Sequence, residues 1–180
     1  ITKTPAINTV HAWHGENSRL RFYEFFDKYL FVPLFKRIAL VSPSMNSQLN
    51  EIPYLSKTKI VLIPNGLDIV KFNNSSTAHP AKEELNIDND LTIGCVARLN
   101  REKGHVYLFN AFSKLLEIIP KVKLLIIGDG PLDQELKQLA QQYGINENII
   151  FTGIKSDILP YYKTMDIFVL PSLSEGLPMA

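Results

Sequence analysis

Short apolar runs rich in β-branched residues alternate along the chain with longer segments of helical periodicity. The first pattern is typical of buried strands and the second of helices. Several runs are apolar throughout, which predicts strands covered on both faces, as in a parallel sheet. The predicted strands are residues 7–11, 37–42, 59–65, 91–98, 122–128, 148–153 and 166–171. The predicted helices cover about residues 19–32, 43–51, 103–118, 131–143 and 156–164. This alternation predicts an α/β protein with doubly wound parallel sheets.

A polar stretch interrupts the pattern after the third strand. "NNSSTAHPAKEELNIDND" is rich in turn formers and lacks apolar periodicity. We therefore predict two domains, residues 1–69 and 70–180, each with an incomplete sheet. Within the stretch, Asp88 to Asp90 have the Asp-x-Asp form of some cation sites, but turn chemistry explains these residues better.

Composition and charge narrow the class of protein. The chain has 180 residues, of which 46% are hydrophobic, so it can bury a core. A net charge of +1 gives no case for nucleic acid as a partner. The single Cys95 excludes an intrachain disulfide and fits a reducing compartment. No apolar run is long enough to span a membrane, and no signal peptide is recognised; Ile1 as first residue suggests that the natural N-terminus lies upstream.

A pair of cations follows the fourth predicted strand. Arg98 stands at the strand end and Lys103 at the start of the next helix, in "VARLNREKG". Cations at the carboxyl end of a parallel strand, beside a helix start, suit a phosphate group. A solvated loop whose charges pair with Glu102 or with water is the alternative.

Two glycines follow the fifth predicted strand, in "IIGDGPLDQEL". Gly128 and Gly130 would let the backbone approach a ligand closely. The segment is not the dinucleotide fingerprint, because Asp133 replaces its third glycine. A tight strand-to-helix turn without a ligand stays open.

The last predicted strand leads into "SLSEGLP". Glu175 and the N–H groups of Gly176 and Leu177 could meet an anion or a sugar hydroxyl. Ordinary helix capping by Ser174 is the alternative. Near the start of the chain, His11 ends the first strand; since the nearby His-x-x-His spacing lacks further ligands, we predict no metal site.

Five segments taken in order, "IPNGLD", "VARLNREKG", "IIGDGPL", "FTG" and "DIFVLPSLSEGLP", resemble the C-terminal domain of family 4 glycosyltransferases. These are retaining enzymes with the GT-B fold of two Rossmann-like domains. The resemblance extends over nearly the whole chain from His11 onward. The upstream part then corresponds to the second half of the acceptor domain.

The resemblance implies roles for particular residues. Arg98 and Lys103 would bind the donor diphosphate, with no metal or other cofactor. Glu175 and the N–H groups that follow it would hold the donor sugar, and His11 would reach that sugar across the cleft. The second glutamate of the family's signature would fall beyond Ala180, so we expect the chain to stop inside the donor site. Ala97 stands where the family usually has glycine.

The function implied is sugar transfer with retention from a nucleotide-diphosphate sugar to a glycan or lipid-linked acceptor, in the cytoplasm. An epimerase, a phosphorylase or a non-catalytic fragment are the alternatives. The aromatic and basic segment Arg19 to Arg37 is interpreted as a core helix with a charged outer face. Its alternative, a peripheral contact with the inner membrane surface, follows from the resemblance.

Overall fold

The computed structural model describes residues 4–10, 18–43, 45–52, 54–74, 81–87, 90–175 and 177–180. The chain divides into two compact units. Residues 1–67 and 175–179 form the first unit, and residues 68–174 with Ala180 form the second. The domain boundary predicted from the sequence lies between residues 69 and 70.

The first unit contains a three-stranded parallel sheet with the order β1-β2-β3. Its elements are β1 (Ile7–Val10), α1 (Ser18–Phe26), β2 (Arg37–Leu40), α2 (Met45–Asn50) and β3 (Ile60–Leu62). Ile38 and Leu40 of the central strand are buried against Val32 and Leu49. A small apolar core therefore fixes β2 and α2, which follow the predicted pattern.

The helix α1 does not have the core position expected of it. None of its residues is buried, and Phe22, Tyr23 and Phe25 are each more than half exposed. A core helix confines its apolar residues to one stripe, whereas those of α1 occur on several sides. The interpretation as a core helix is therefore wrong for α1. A π-helical turn (Asp27–Phe31) and a 3-10 turn (Val32–Leu34) follow, and the chain is buried again only at Val32.

The second unit contains a four-stranded parallel sheet with the order β6-β5-β4-β7. The predicted single parallel sheet over these strands is confirmed. Its elements are α3 (Ile69–Asn74), β4 (Leu91–Val96), α4 (His105–Ile118), β5 (Val122–Ile127), α5 (Asp133–Gln142), β6 (Ile149–Gly153), α6 (Leu159–Tyr162) and β7 (Ile167–Phe168). The short helix α3 is not predicted by the sequence pattern.

Both faces of this second sheet are covered. On one face, Phe109 and Phe112 of α4 and Leu136 of α5 pack with Leu124 and Ile126 of the central strand β5. On the other face, Tyr161 of α6 and Ala81 pack with Leu125 and Ile127 of the same strand. Successive residues of β5 thus point into two separate cores, which explains its continuous apolar run. Because helices cover both faces, a ligand can reach this sheet at the ends of the strands.

Candidate functional site

The loops after β4 and β5 lie side by side at the carboxyl edge of the second sheet. The two strands are in parallel register, with Val96 opposite Ile127 at their ends. Arg98 follows the first strand and Gly128 the second. Loops at this edge of a parallel sheet are where open α/β domains bind their ligands.

A cleft of about 470 Å³ opens between these loops. Arg98, Gly128 and Gly130 line it, so the structure brings three of the predicted site residues together. Asp129 and Ile154 complete the lining. Sequence reasoning missed Ile154, although its position after the end of β6 places it at the same edge.

The Arg98 side chain is exposed at this cleft. Its guanidinium makes no hydrogen bond or ion pair with any residue that the structure describes. Arg98 therefore does not pair with Glu102, whereas the alternative of a guanidinium solvated by water stays open. An unpaired guanidinium offers a planar set of donors that matches a phosphate group.

The two glycines of the cleft have a packing reason of their own. Gly128 has a φ of +140°, and a Cβ there would lie 2.0 Å from the carbonyl oxygen of Ala97. A Cβ on Gly130 would lie 2.4 Å from the carbonyl oxygen of Leu99. Since the backbones of the two loops touch, glycine is required at both positions even without a ligand. Donor binding by Gly128 and Gly130 stays a prediction.

Backbone hydrogen bonds hold the same two loops together. The N–H of Leu99 donates to the carbonyl of Asp129 at 3.0 Å, and the N–H of Leu132 donates to the carbonyl of Leu99 at 3.0 Å. Leu99 is fully buried beneath them. Because Leu99 is buried and hydrogen-bonded, it holds the backbone of the preceding residue, Arg98, in place.

Lys103 lies beyond this cleft, on a 3-10 turn (Arg101–Lys103) that precedes α4. Gly104 follows with a φ of +67°, and the helix begins at His105. Lys103 is half-buried and is not among the residues that line the cleft. Arg98 and Lys103 thus belong to one loop, with Arg98 at the cleft and Lys103 at the helix start.

A buried histidine and cysteine lie under this loop. Nε2 of His105 is 3.9 Å from Sγ of Cys95, and both residues are almost fully buried. Burial, together with the nearby charge of Lys103, lowers the pKa of His105, so its ring is neutral at neutral pH. Burial raises the pKa of the Cys95 thiol to about 12. Cys95 is therefore a buried, structural residue.

Because the thiolate is the reactive form, Cys95 should resist alkylation by iodoacetamide in the folded protein at mildly alkaline pH. It should react fully once guanidinium chloride unfolds the chain. Mass spectrometry of the peptide that contains Cys95 measures both states. Rapid alkylation of the folded protein would contradict the burial of this strand.

Two further polar atoms at this edge are buried without a partner in the described part of the chain. They are Oδ1 of Asn100, after β4, and Oγ of Ser172, after β7. Buried polar atoms are nearly always hydrogen-bonded in folded proteins, by protein, water or ligand. The Asn100 oxygen can therefore still accept a hydrogen bond from a bound polar group, and the Ser172 hydroxyl can donate or accept one.

The remaining predicted site residues are placed differently. Glu175 and Leu177 belong by their contacts to the first unit. The carbonyl of Leu177 accepts a hydrogen bond from Nδ2 of Asn65 at 3.4 Å. His11 and Gly176 lie outside the described residues. The roles predicted for these four residues stay predictions.

Two features are absent from the described ranges. In those ranges, no three His, Cys, Asp or Glu side chains come together as metal ligands would. Nor does any helix there have the length and apolar character needed to cross a bilayer.

Comparison with known sequences identifies relatives. The family described as "Glycosyl transferases group 1" matches residues 78–180, more than half of the chain. EpsF of Bacillus subtilis, which is named as a glycosyltransferase, is 35% identical over 127 residues, which cover 69% of this chain and 33% of that protein. The UDP-Gal:alpha-D-GlcNAc-diphosphoundecaprenol alpha-1,3-galactosyltransferase of Escherichia coli is 31% identical over 183 residues, with 97% of this chain and 47% of that enzyme covered.

A solved structure shares the fold. Anabaena HepE, crystallised with UDP-glucose, matches 96% of this chain and 48% of its own chain with a TM-score of 0.76 and 20% identity. The predicted α/β fold of GT-B type, with two incomplete Rossmann-like sheets, is confirmed. The chain spans about half the length, or less, of the relatives it matches. Sequence and fold together place this chain among the group 1 glycosyl transferases.

Proposed function

We propose that the protein is a hexosyltransferase that moves a sugar from a nucleotide-diphosphate donor to a glycan or lipid-linked acceptor with retention of configuration. The observation that carries the proposal is the unpaired Arg98 guanidinium in the cleft at the carboxyl edge of the second sheet. The E. coli relative is named for transfer from UDP-galactose to a diphosphoundecaprenol-linked acceptor, which supports a role in envelope polysaccharide synthesis.

Charge explains how such a site would act. The bond between the anomeric carbon and the β-phosphate oxygen breaks, and its electron pair leaves with the phosphate. The anomeric carbon meanwhile becomes oxocarbenium-like. Cations fixed at the phosphate stabilise this arrangement more than they stabilise the bound donor, so they lower the barrier. Arg98 and Lys103 would supply that charge with no metal ion.

The other predicted residues complete the proposed site. Glu175 and the N–H groups of Gly176 and Leu177 would hold the donor sugar, and His11 would reach it from the acceptor side. The acceptor oxygen forms the new bond to the anomeric carbon, and its proton passes to the departing phosphate. The retaining course rests on the resemblance to family 4 enzymes.

Incubation of the full-length protein with a panel of nucleotide sugars and acceptor extracts tests this function. We expect one donor to be consumed only with acceptor, with release of its nucleotide diphosphate. Nuclear magnetic resonance of the product should show the anomeric configuration of the donor. An epimerised nucleotide sugar formed without acceptor, or turnover that requires inorganic phosphate, would instead indicate an epimerase or a phosphorylase. Inversion at the anomeric carbon would contradict the retaining course.

We also infer that the segment from Ser18 to Arg37 contacts an anionic membrane surface. Phe22, Phe25, Phe31 and Leu34 each expose at least half of their surface. The segment contains five basic residues and two acidic ones. Exposed aromatic rings among basic side chains are typical of interfacial helices that bind anionic lipids. This would place the transfer at the cytoplasmic face of the membrane.

Vesicle flotation tests the membrane contact. The full-length protein should float with vesicles of phosphatidylcholine and phosphatidylglycerol, and less with phosphatidylcholine alone. The double variant Phe22→Ser with Phe25→Ser should lose this binding, because it removes the inserted rings. Tyr107→Ser is the matched control, since Tyr107 is 63% exposed on α4 of the second unit. Equal binding by the double variant, or no preference for anionic vesicles, would contradict the inference.

A further inference from the structure

The loops after β4 and β7 are in direct backbone contact. The N–H of Leu173 donates to the carbonyl of Glu102 at 2.7 Å. Two residues further on, Gly104 faces the carbonyl of Pro171. A Cβ at Gly104 would lie 2.1 Å from that oxygen and 3.0 Å from its carbon. The loop that carries Lys103 and the loop that leads to Glu175 therefore touch at two points.

The contact at Gly104 cannot relax easily. The residue is buried, and its φ of +67° lies in the left-handed region that favours glycine. Its carbonyl accepts hydrogen bonds from the N–H groups of Tyr107 at 3.0 Å and Leu108 at 3.3 Å, so it belongs to the first turn of α4. The atom it faces is a backbone carbonyl rather than a side chain that could change rotamer.

We propose that Gly104 is a positioning residue. Because it has no Cβ, residues 171–174 can pack against it, and this packing fixes the backbone that leads into Glu175. The inference rests on the proposed function, in which Lys103 serves the diphosphate and Glu175 the sugar. Gly104 directly follows Lys103 in the chain. Its Cα, which carries no side chain, packs against the carbonyl of Pro171 in the loop that leads to Glu175. A methyl group there would push that loop away and leave the Arg98 cleft in place.

Amide hydrogen exchange on the full-length protein tests the packing without any ligand. Gly104→Ala is compared with Gly144→Ala, because Gly144 has nearly the same φ, +66°, with nothing within 4 Å of its Cβ position. Since both variants place alanine at a positive φ, a difference between them comes from the steric contact at Gly104. Protection of the Leu173 amide should fall at least about tenfold more in Gly104→Ala than in Gly144→Ala. The Val169 amide, bonded to the carbonyl of Gly94, should respond alike in both variants.

Kinetics test the consequence for the site, with the donor found active in the transfer assay. Gly104→Ala should lower kcat/KM for that donor at least about tenfold relative to Gly144→Ala. Inhibition by the released nucleotide diphosphate should change less than about threefold, because the diphosphate does not need the sugar loop. A purely structural defect would weaken the binding of the donor and of the nucleotide diphosphate together.

The outcomes separate this inference from the function on which it rests. Equal loss of Leu173 protection in both alanine variants would overturn the inference, as would parallel loss of affinity for donor and nucleotide diphosphate. Absence of transfer with every donor would remove the proposed function but leave the exchange comparison valid. If Gly104→Ala does not fold, Leu173→Pro removes the N–H that donates to Glu102, the other contact between the loops; kcat/KM for the donor should then fall while inhibition by the nucleotide diphosphate changes little.

Discussion

Replacing Arg98 by alanine in the full-length protein should lower kcat/KM for sugar transfer by about a hundredfold or more. A hydrogen bond to a charged group is worth about 1.5–3 kcal/mol, and more where charge develops in the transition state. Arg98 is exposed and its side chain makes no hydrogen bond or ion pair with other described residues, so the folded structure should be unaffected. Lys103→Ala should act in the same direction, because Lys103 would share the phosphate charge.

Arg101 provides the matched control for this experiment. It is an exposed arginine of the same loop and does not line the cleft with Arg98. Arg101→Ala should therefore keep kcat/KM within about threefold of the unmodified protein. Arg98→Lys should recover part of the rate, since lysine restores the charge without the planar pair of donors. Unchanged turnover in both Arg98→Ala and Lys103→Ala would leave the proposed mechanism without its two cations.

The central strands β4 and β5 could be predicted because burial on both faces makes their sequences largely apolar. Leu124 to Ile127 alternate between two cores, and both cores require apolar side chains. The cleft could be predicted in part by the same logic, since parallel strands place Arg98 and Gly128 at one edge. Ile154 satisfies that rule too, but an isoleucine after a strand carries no chemical signal.

Other features depend on contacts that no local pattern contains. The aromatic residues of α1 have the composition of a core helix, yet their angular spread leaves Phe22 and Phe25 exposed. The glycines after β5 are ambiguous in the sequence. A glycine lets the backbone approach a ligand closely, but it equally lets the backbone approach another loop. Only the structure shows that Gly128 and Gly130 face the carbonyls of Ala97 and Leu99.

Gly128→Ala should destabilise the second unit by about 3 kcal/mol or more, a large share of an ordinary domain's stability. Two costs add: an L-residue at a φ of +140°, and a Cβ placed 2.0 Å from the carbonyl oxygen of Ala97. That oxygen belongs to the backbone at the end of β4, next to Arg98. Urea unfolding followed by far-UV circular dichroism measures the change.

Gly153 gives the control for this last prediction. Its φ is +68° and nothing lies within 4 Å of its Cβ position, so Gly153→Ala should cost only about 1 kcal/mol, the penalty of the left-handed region. The difference between the two variants then measures the close approach of the loops after β4 and β5 together with the extra cost of a φ of +140° over one of +68°. If both variants lose equal stability, the contact with Ala97 contributes nothing. The cost of a side chain at position 128 would then be that of its positive φ alone.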